Sequence, residues 1–193
     1  FGGRVFGGRV IAPALGKTAA RSGSFAGYTC RPSPASLLLP LLAPPCPLRI
    51  VLDTNAVLDL LLWHNAELDC VAQALNACRA QLVCDDACLR ELRTVLRYPK
   101  FGLDETQALA LYEAYCTRLE LLPLPESPDT GQPRCRDRED QKFFDLAARA
   151  GADLLVTRDR ALLRLGRHRL CPPTLRILAP PAIQVLFAAA DSE

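Results

Sequence analysis

The order of apolar runs predicts an α/β domain, a central parallel sheet with helices on both faces. Ile50-Val51-Leu52 is a continuous apolar run, as in a strand covered on both sides. It stops at Asp53-Thr54, residue types that cap helices, and a Leu-rich stretch follows over residues 56–63. The same succession of short strand and helix recurs along the chain, and such alternation implies parallel crossovers.

Taken in order, residues 67–79 repeat apolar positions at helical spacing (Leu68, Val71, Ala72, Leu75, Cys78). Residues 81–84 read as a second strand. Asp85 or Asp86 then caps a helix to about residue 97, stopped by Tyr98-Pro99 and Gly102. A helix opens at Asp104-Glu105-Thr106 and runs through residue 119. Residues 121–124 read as a third strand, and 125–136 as a polar loop with Pro and Gly. A helix over residues 137–150 ends at Gly151, a strand over 153–157 follows, and a short helix comes after Arg158-Asp159. Residues 175–178 form an edge strand, and Pro180-Pro181 opens a closing helix to residue 190.

Length and charge set bounds on all of this. The 193 residues suit one ordinary domain plus a tail, with half of them hydrophobic. Residues 1–47 are rich in Gly, Ala, Ser and Pro and hold five basic residues and no acid. They read as a low-complexity, disordered segment, with no apolar run long enough to span a bilayer. The domain is expected over residues 48–190. Subtracting those five leaves 18 basic against 21 acidic residues in 48–193, which excludes a simple basic clamp for nucleic acid. The chain starts at Phe1 and has no Met, so it is expected not to be a complete translated product. Nine cysteines, an odd number, lie mostly in apolar or helical patterns. Cys84 and Cys88 lack a second pair at zinc spacing, and free thiols in a reducing cytoplasm are the simpler expectation.

Four carboxylates occupy related places. Asp53 ends the first strand, Asp159 follows the fourth, Glu91 borders the buried face of the helix after the second, and Asp140 lies in the first turn before the fourth. Taken singly, Asp53 and Asp159 also read as helix caps, Asp140 as an acid complementing a helix dipole, and Glu91 as a solvated charge.

Together they resemble something more definite. The stretches RIVLDTNAVLDLLL (49–62), ELRTVLRYPKF (91–101), CRDREDQKFFDLAARAGADLLVTRD (135–159) and LRILAPPAIQVL (175–186) resemble the PIN-domain nucleases. The likeness is greatest to the branch known as toxins of prokaryotic toxin–antitoxin pairs. It implies a Rossmann-like PIN fold with an acidic pocket at the carboxyl edge of the sheet. Carried over by motif, the family acids fall on Asp53, Glu91, Asp140 and Asp159, with Asp137 an auxiliary acid and Asn55 and Thr157 polar helpers.

Clustered carboxylates raise one another's pKa unless cations neutralise them, and all-oxygen donors suit Mg2+ or Mn2+. Such ions serve phosphodiester hydrolysis. That chemistry together with the resemblance gives the expected activity, a metal-dependent endoribonuclease acting on single-stranded RNA, and the resemblance implies the toxin role. The alternatives are a nuclease of RNA processing or structured DNA, and a non-catalytic PIN-like binding module. The resemblance also implies a small antitoxin partner and a homodimer, and no membrane.

Arg136, Arg138 and Arg158 are candidates for phosphate contact, with Arg134, Arg160, Arg164, Arg167 and Arg169 nearby; salt bridging to the adjacent acids is the equal alternative. Trp63, Tyr98, Tyr112 and Tyr115 are expected to fill core or interface, and His64 and His168 to be surface or packing residues. The Leu-rich first helix and the helix ending near Leu119 are the candidate homodimer or antitoxin surfaces.

Overall fold

Ile50, Val51 and Leu52 are consecutive and all at least 97% buried. Side chains alternate across a strand, so burial of all three means that both faces of the sheet are covered. The computed structural model describes residues 47–124 and 131–190. The chain divides after Leu42, and everything below concerns the second unit. The expected low-complexity segment thus lies outside the described residues, apart from Pro47, as does part of the polar loop after residue 124.

Five parallel strands form the sheet, in the order β3-β2-β1-β4-β5. They are β1 (Leu48–Leu52), β2 (Ala80–Asp85), β3 (Leu119–Leu122), β4 (Leu154–Val156) and β5 (Arg176–Leu178). Among the described residues seven α-helices connect and follow them: α1 (Thr54–Leu61), α2 (Asp69–Asn76), α3 (Asp86–Val95), α4 (Glu105–Cys116), α5 (Gln141–Ala150), α6 (Arg160–Leu165) and α7 (Pro180–Ala190). The expected α/β class is therefore what the chain adopts. Successive strands run outward from β1 to β3, after which the chain crosses back to β4 on the other side of β1. The gap between β1 and β4 is thus the point where strand order reverses, the place where open sheets of this kind bind ligands.

Helix α5 lies against β1, β2 and β4. It presents Phe143, Phe144, Leu146 and Ala147 to the core, and its exposed side carries the polar residues of the same helical pattern. Its C-terminus is closed by Gly151 at φ 58°, a left-handed conformation that glycine adopts without the Cβ penalty. Arg149 on this helix pairs with the buried Asp85 at the end of β2 (2.9 Å). A second long-range pair, Arg49 to Glu120 at 2.9 and 3.1 Å, joins β1 to the edge strand β3. Helix α4 begins with a reciprocal capping box between Asp104 and Gln107.

Several element ends differ from expectation. The helix expected over 67–79 is a 3-10 turn at Ala66–Leu68 followed by α2, which stops at Asn76. Cys78 then takes φ 55° and is exposed, because the chain must reverse there to enter β2. Strand β3 starts two residues earlier than expected, and α4 ends at Cys116 rather than 119. Helix α5 begins at Gln141 instead of 137. Among the described residues the seven cysteines are free thiols, and no helix is long and apolar enough to cross a membrane.

The aromatic residues expected in core or interface divide, with Tyr112 packed against the core. Tyr115 is in the core, whereas Trp63 is 53% and Tyr98 44% exposed. Both stand just beyond the end of a helix, Trp63 after α1 and Tyr98 after α3. His64 and His168 are exposed, as expected.

Candidate active site

The register of β1 against β4 pairs Leu52 with Val156, which brings the next residues, Asp53 and Thr157, side by side at the carboxyl end of the sheet. Asp53 is 97% buried. One carboxylate oxygen accepts from the Ala56 N–H at 2.6 Å, capping α1, and the other accepts from the Thr157 hydroxyl at 2.5 Å. That hydroxyl in turn accepts from the Asp159 N–H at 2.9 Å. Thr157 therefore ties the two strand-end acids together. Asp159 caps α6, one oxygen accepting from Ala161 and Leu162 N–H groups at 2.6 and 2.9 Å. Burial pushes the Asp53 carboxyl above its ordinary range; the Thr157 hydroxyl and backbone N–H groups oppose that rise and Asp159 adds to it.

Glu91 reaches the same region from α3. It accepts from the Thr54 hydroxyl at 2.6 Å, and its other oxygen is paired with Lys142. Asp140 stands at the N-cap of α5, one residue before the first turn in which it was expected, and makes no capping hydrogen bond. Its pKa is pushed up to about 6 by burial and then by Asp159, Asp137 and Asp53, with Lys142 opposing. Asp140 thus senses three of the other candidate acids at once. Asp137 is exposed and accepts from the Glu139 N–H at 2.9 Å, a local turn that delays the start of α5. Asn55 is exposed in the first turn of α1.

The arginines divide. Arg158 turns away from the acids named above and pairs with Asp59 at 2.7 Å and Glu67 at 2.5 Å, which raises its pKa further and describes a structural contact. Arg136 and Arg138 are exposed beside the acids, and neither has an ion pair among the described residues. Two residues with contacts to the acids were not picked out from sequence as part of a site. Thr54 is the middle residue of the D-T-N motif, and Lys142 lies two residues beyond Asp140; those placements were the available signals.

As they stand, no three His, Cys, Asp or Glu side chains among the described residues are grouped closely enough to hold a metal ion. The carboxylates instead hold the local partners just described. In chemistry the donor set still fits a hard divalent cation: oxygen donors only, and an acid whose pKa is raised by burial first and then by three other acids, with Lys142 opposing.

A comparison with curated proteins finds no match. Among solved structures, VapBC2 from Rickettsia felis, crystallised with a DNA fragment from its promoter, is similar at a TM-score of 0.49 and 17% identity, over 68% of this chain and 98% of that one. The PIN domain family matches residues 49–161, which is more than half of the chain and spans every candidate acid from Asp53 to Asp159. The protein therefore belongs to the PIN-domain family.

Proposed function

We propose that the protein is a metal-dependent endoribonuclease that hydrolyses single-stranded RNA, working in the cytoplasm as the toxin of a toxin–antitoxin pair. The observation that carries the nuclease reading is the acidic group at the point where strand order reverses. Buried Asp53 is linked through Thr157 to Asp159, and Asp140 feels the charge of both. The toxin role and the small antitoxin rest on the sequence resemblance alone.

In this reading Asp53, Asp140 and Asp159 hold Mg2+ or Mn2+, with Glu91 and Asp137 completing the site. A divalent cation there supplies Lewis acidity toward a phosphodiester and neutralises the carboxylates. Thr157 fixes the Asp53 carboxylate and Thr54 fixes Glu91. Lys142 balances part of the acidic charge, and Arg136 and Arg138 are free to meet a phosphate. The working unit is residues 48–190, and the exposed Leu109 on α4 offers a contact for a second copy.

The test is cleavage of a mixed single-stranded RNA pool by the full chain, with Mg2+, Mn2+ or EDTA, beside Asp53→Asn. Cutting is expected only with metal and is expected to fall at least a hundredfold in the variant. Equal cutting by wild type and variant would sink the assignment of the site, and no cutting with any metal by folded protein would sink the nuclease.

A further inference from the structure

Two parallel helices lead away from the acids. The Thr54–Glu91 hydrogen bond holds the start of α1 against α3, and contact between Trp63 and Phe101 (centroids 5.9 Å apart, planes at 58°) joins the chain just beyond their far ends. Helix α1 has eight residues, so the second contact lies roughly 12 Å from the first, toward the amino edge of the sheet, because a helix that follows a parallel strand runs back against it. At that end His64 takes φ 45°, turning the backbone and leaving Trp63 outward and 53% exposed. Lys100 lies over the Phe101 ring at 4.8 Å and the Tyr98 ring at 5.7 Å. Leu62, Trp63, Lys100 and Phe101 line an open hollow of about 490 Å³ with no acid among them.

We infer that this patch is a stacking platform for bases of single-stranded RNA, a helix length removed from the acidic site. The inference rests on the RNA reading above and extends it to a second region of the molecule. Exposed aromatic faces bind bases of any identity, and a cation beside them meets the backbone phosphate. The ammonium of Lys100 has no carboxylate partner among the described residues, so its charge is available to a polyanion. This matters in a domain whose folded part is otherwise acidic in balance.

Trp63 is the only tryptophan of the chain and so reports on its own surroundings. The experiment titrates the full chain in EDTA, which prevents metal-dependent cutting, with an end-labelled uridine oligonucleotide. Trp63 fluorescence and label anisotropy are followed together. Saturable quenching that tracks anisotropy is expected. Trp63→Ala and Phe101→Ala should each weaken binding about tenfold, Trp63→Phe should retain most of it, and Lys100→Ala should make it less dependent on salt. Anisotropy that rises without quenching, and is unchanged in Trp63→Ala, would overturn the platform while leaving the nuclease intact. A blue shift that follows protein concentration and ignores RNA would assign the patch to self-association and likewise overturn it. Absence of any RNA binding would overturn the platform together with its RNA substrate.

Discussion

Thr157 is fully buried, with a hydroxyl that accepts from the Asp159 N–H and donates to Asp53. Thr157→Val keeps the shape and removes the donor, leaving a buried carboxylate oxygen short of a partner at a cost of about 1–3 kcal/mol. The Asp53 pKa, already raised, should rise further. A raised carboxyl holds its proton in the folded state after the unfolded chain has lost it, so folding stability falls as pH rises through that window. Urea denaturation from pH 4 to 8 should show the decline reaching to higher pH in Thr157→Val than in wild type, with Thr157→Ser close to wild type. Asp140 offers the complementary case. Its window in metal-free protein runs from about 4, the ordinary carboxyl value, up to about 6. Above that range it is ionised among Asp159, Asp137 and Asp53. In EDTA, Asp140→Asn should therefore melt higher than wild type at pH 7.5, and the difference should vanish near pH 4; a lower melting point at pH 7.5 would refute the repulsion argument.

At the scale of elements, α5 holds the sheet and the acids in one frame. Arg149 satisfies Asp85, whose side chain is only 5% exposed. Arg149→Ala leaves that charge without its cation, held by the N–H and the thiol of Cys88. The cost should lie near the low end of the about 3–5 kcal/mol seen when a buried pair is broken, since Arg149 is itself partly exposed. Adding Asp85→Asn to Arg149→Ala should recover part of the loss in chemical denaturation. The ends of elements depend on such tertiary contacts, which is why they were the least legible feature of the sequence. Residues 119–124 contain four leucines, and no local pattern says where a strand begins; the Glu120–Arg49 pair, reaching across β2, anchors the observed strand. Asp137 looks like a helix cap. Yet its carboxylate closes a turn onto Glu139, and the Gln141 side chain at the true start bonds the Cys135 N–H and the Pro133 carbonyl. By contrast β1 and the motifs around Asp53 and Asp159 were readable, because strand ends and helix caps are local chemistry. The pairing of Lys142 with Glu91 was not, since it requires α5 to approach α3.

For the molecule as a whole, the raised Asp140 pKa couples the acids to the folding equilibrium, and a cation that binds only the folded state must shift that equilibrium. The gain is RT ln(1 + [L]/Kd), about 2.7 kcal/mol at a hundred times Kd. For a domain of this size each kcal/mol raises Tm by roughly 2–4 °C. Millimolar Mn2+ is therefore expected to raise the melting temperature of the full chain by several degrees at pH 7.5. The ligands must be ionised to bind, so the gain should shrink as pH falls below about 6, where Asp140 takes up its proton. Asp53→Asn should abolish most of the shift whether or not any RNA is cut, which makes calorimetry independent of the cleavage assay. A shift of the same size in wild type and Asp53→Asn would place the cation elsewhere. No shift in wild type up to 10 mM or so, a concentration well above the Kd range of sensor-type divalent sites, would leave the acids as a structural cluster and favour the binding-module alternative.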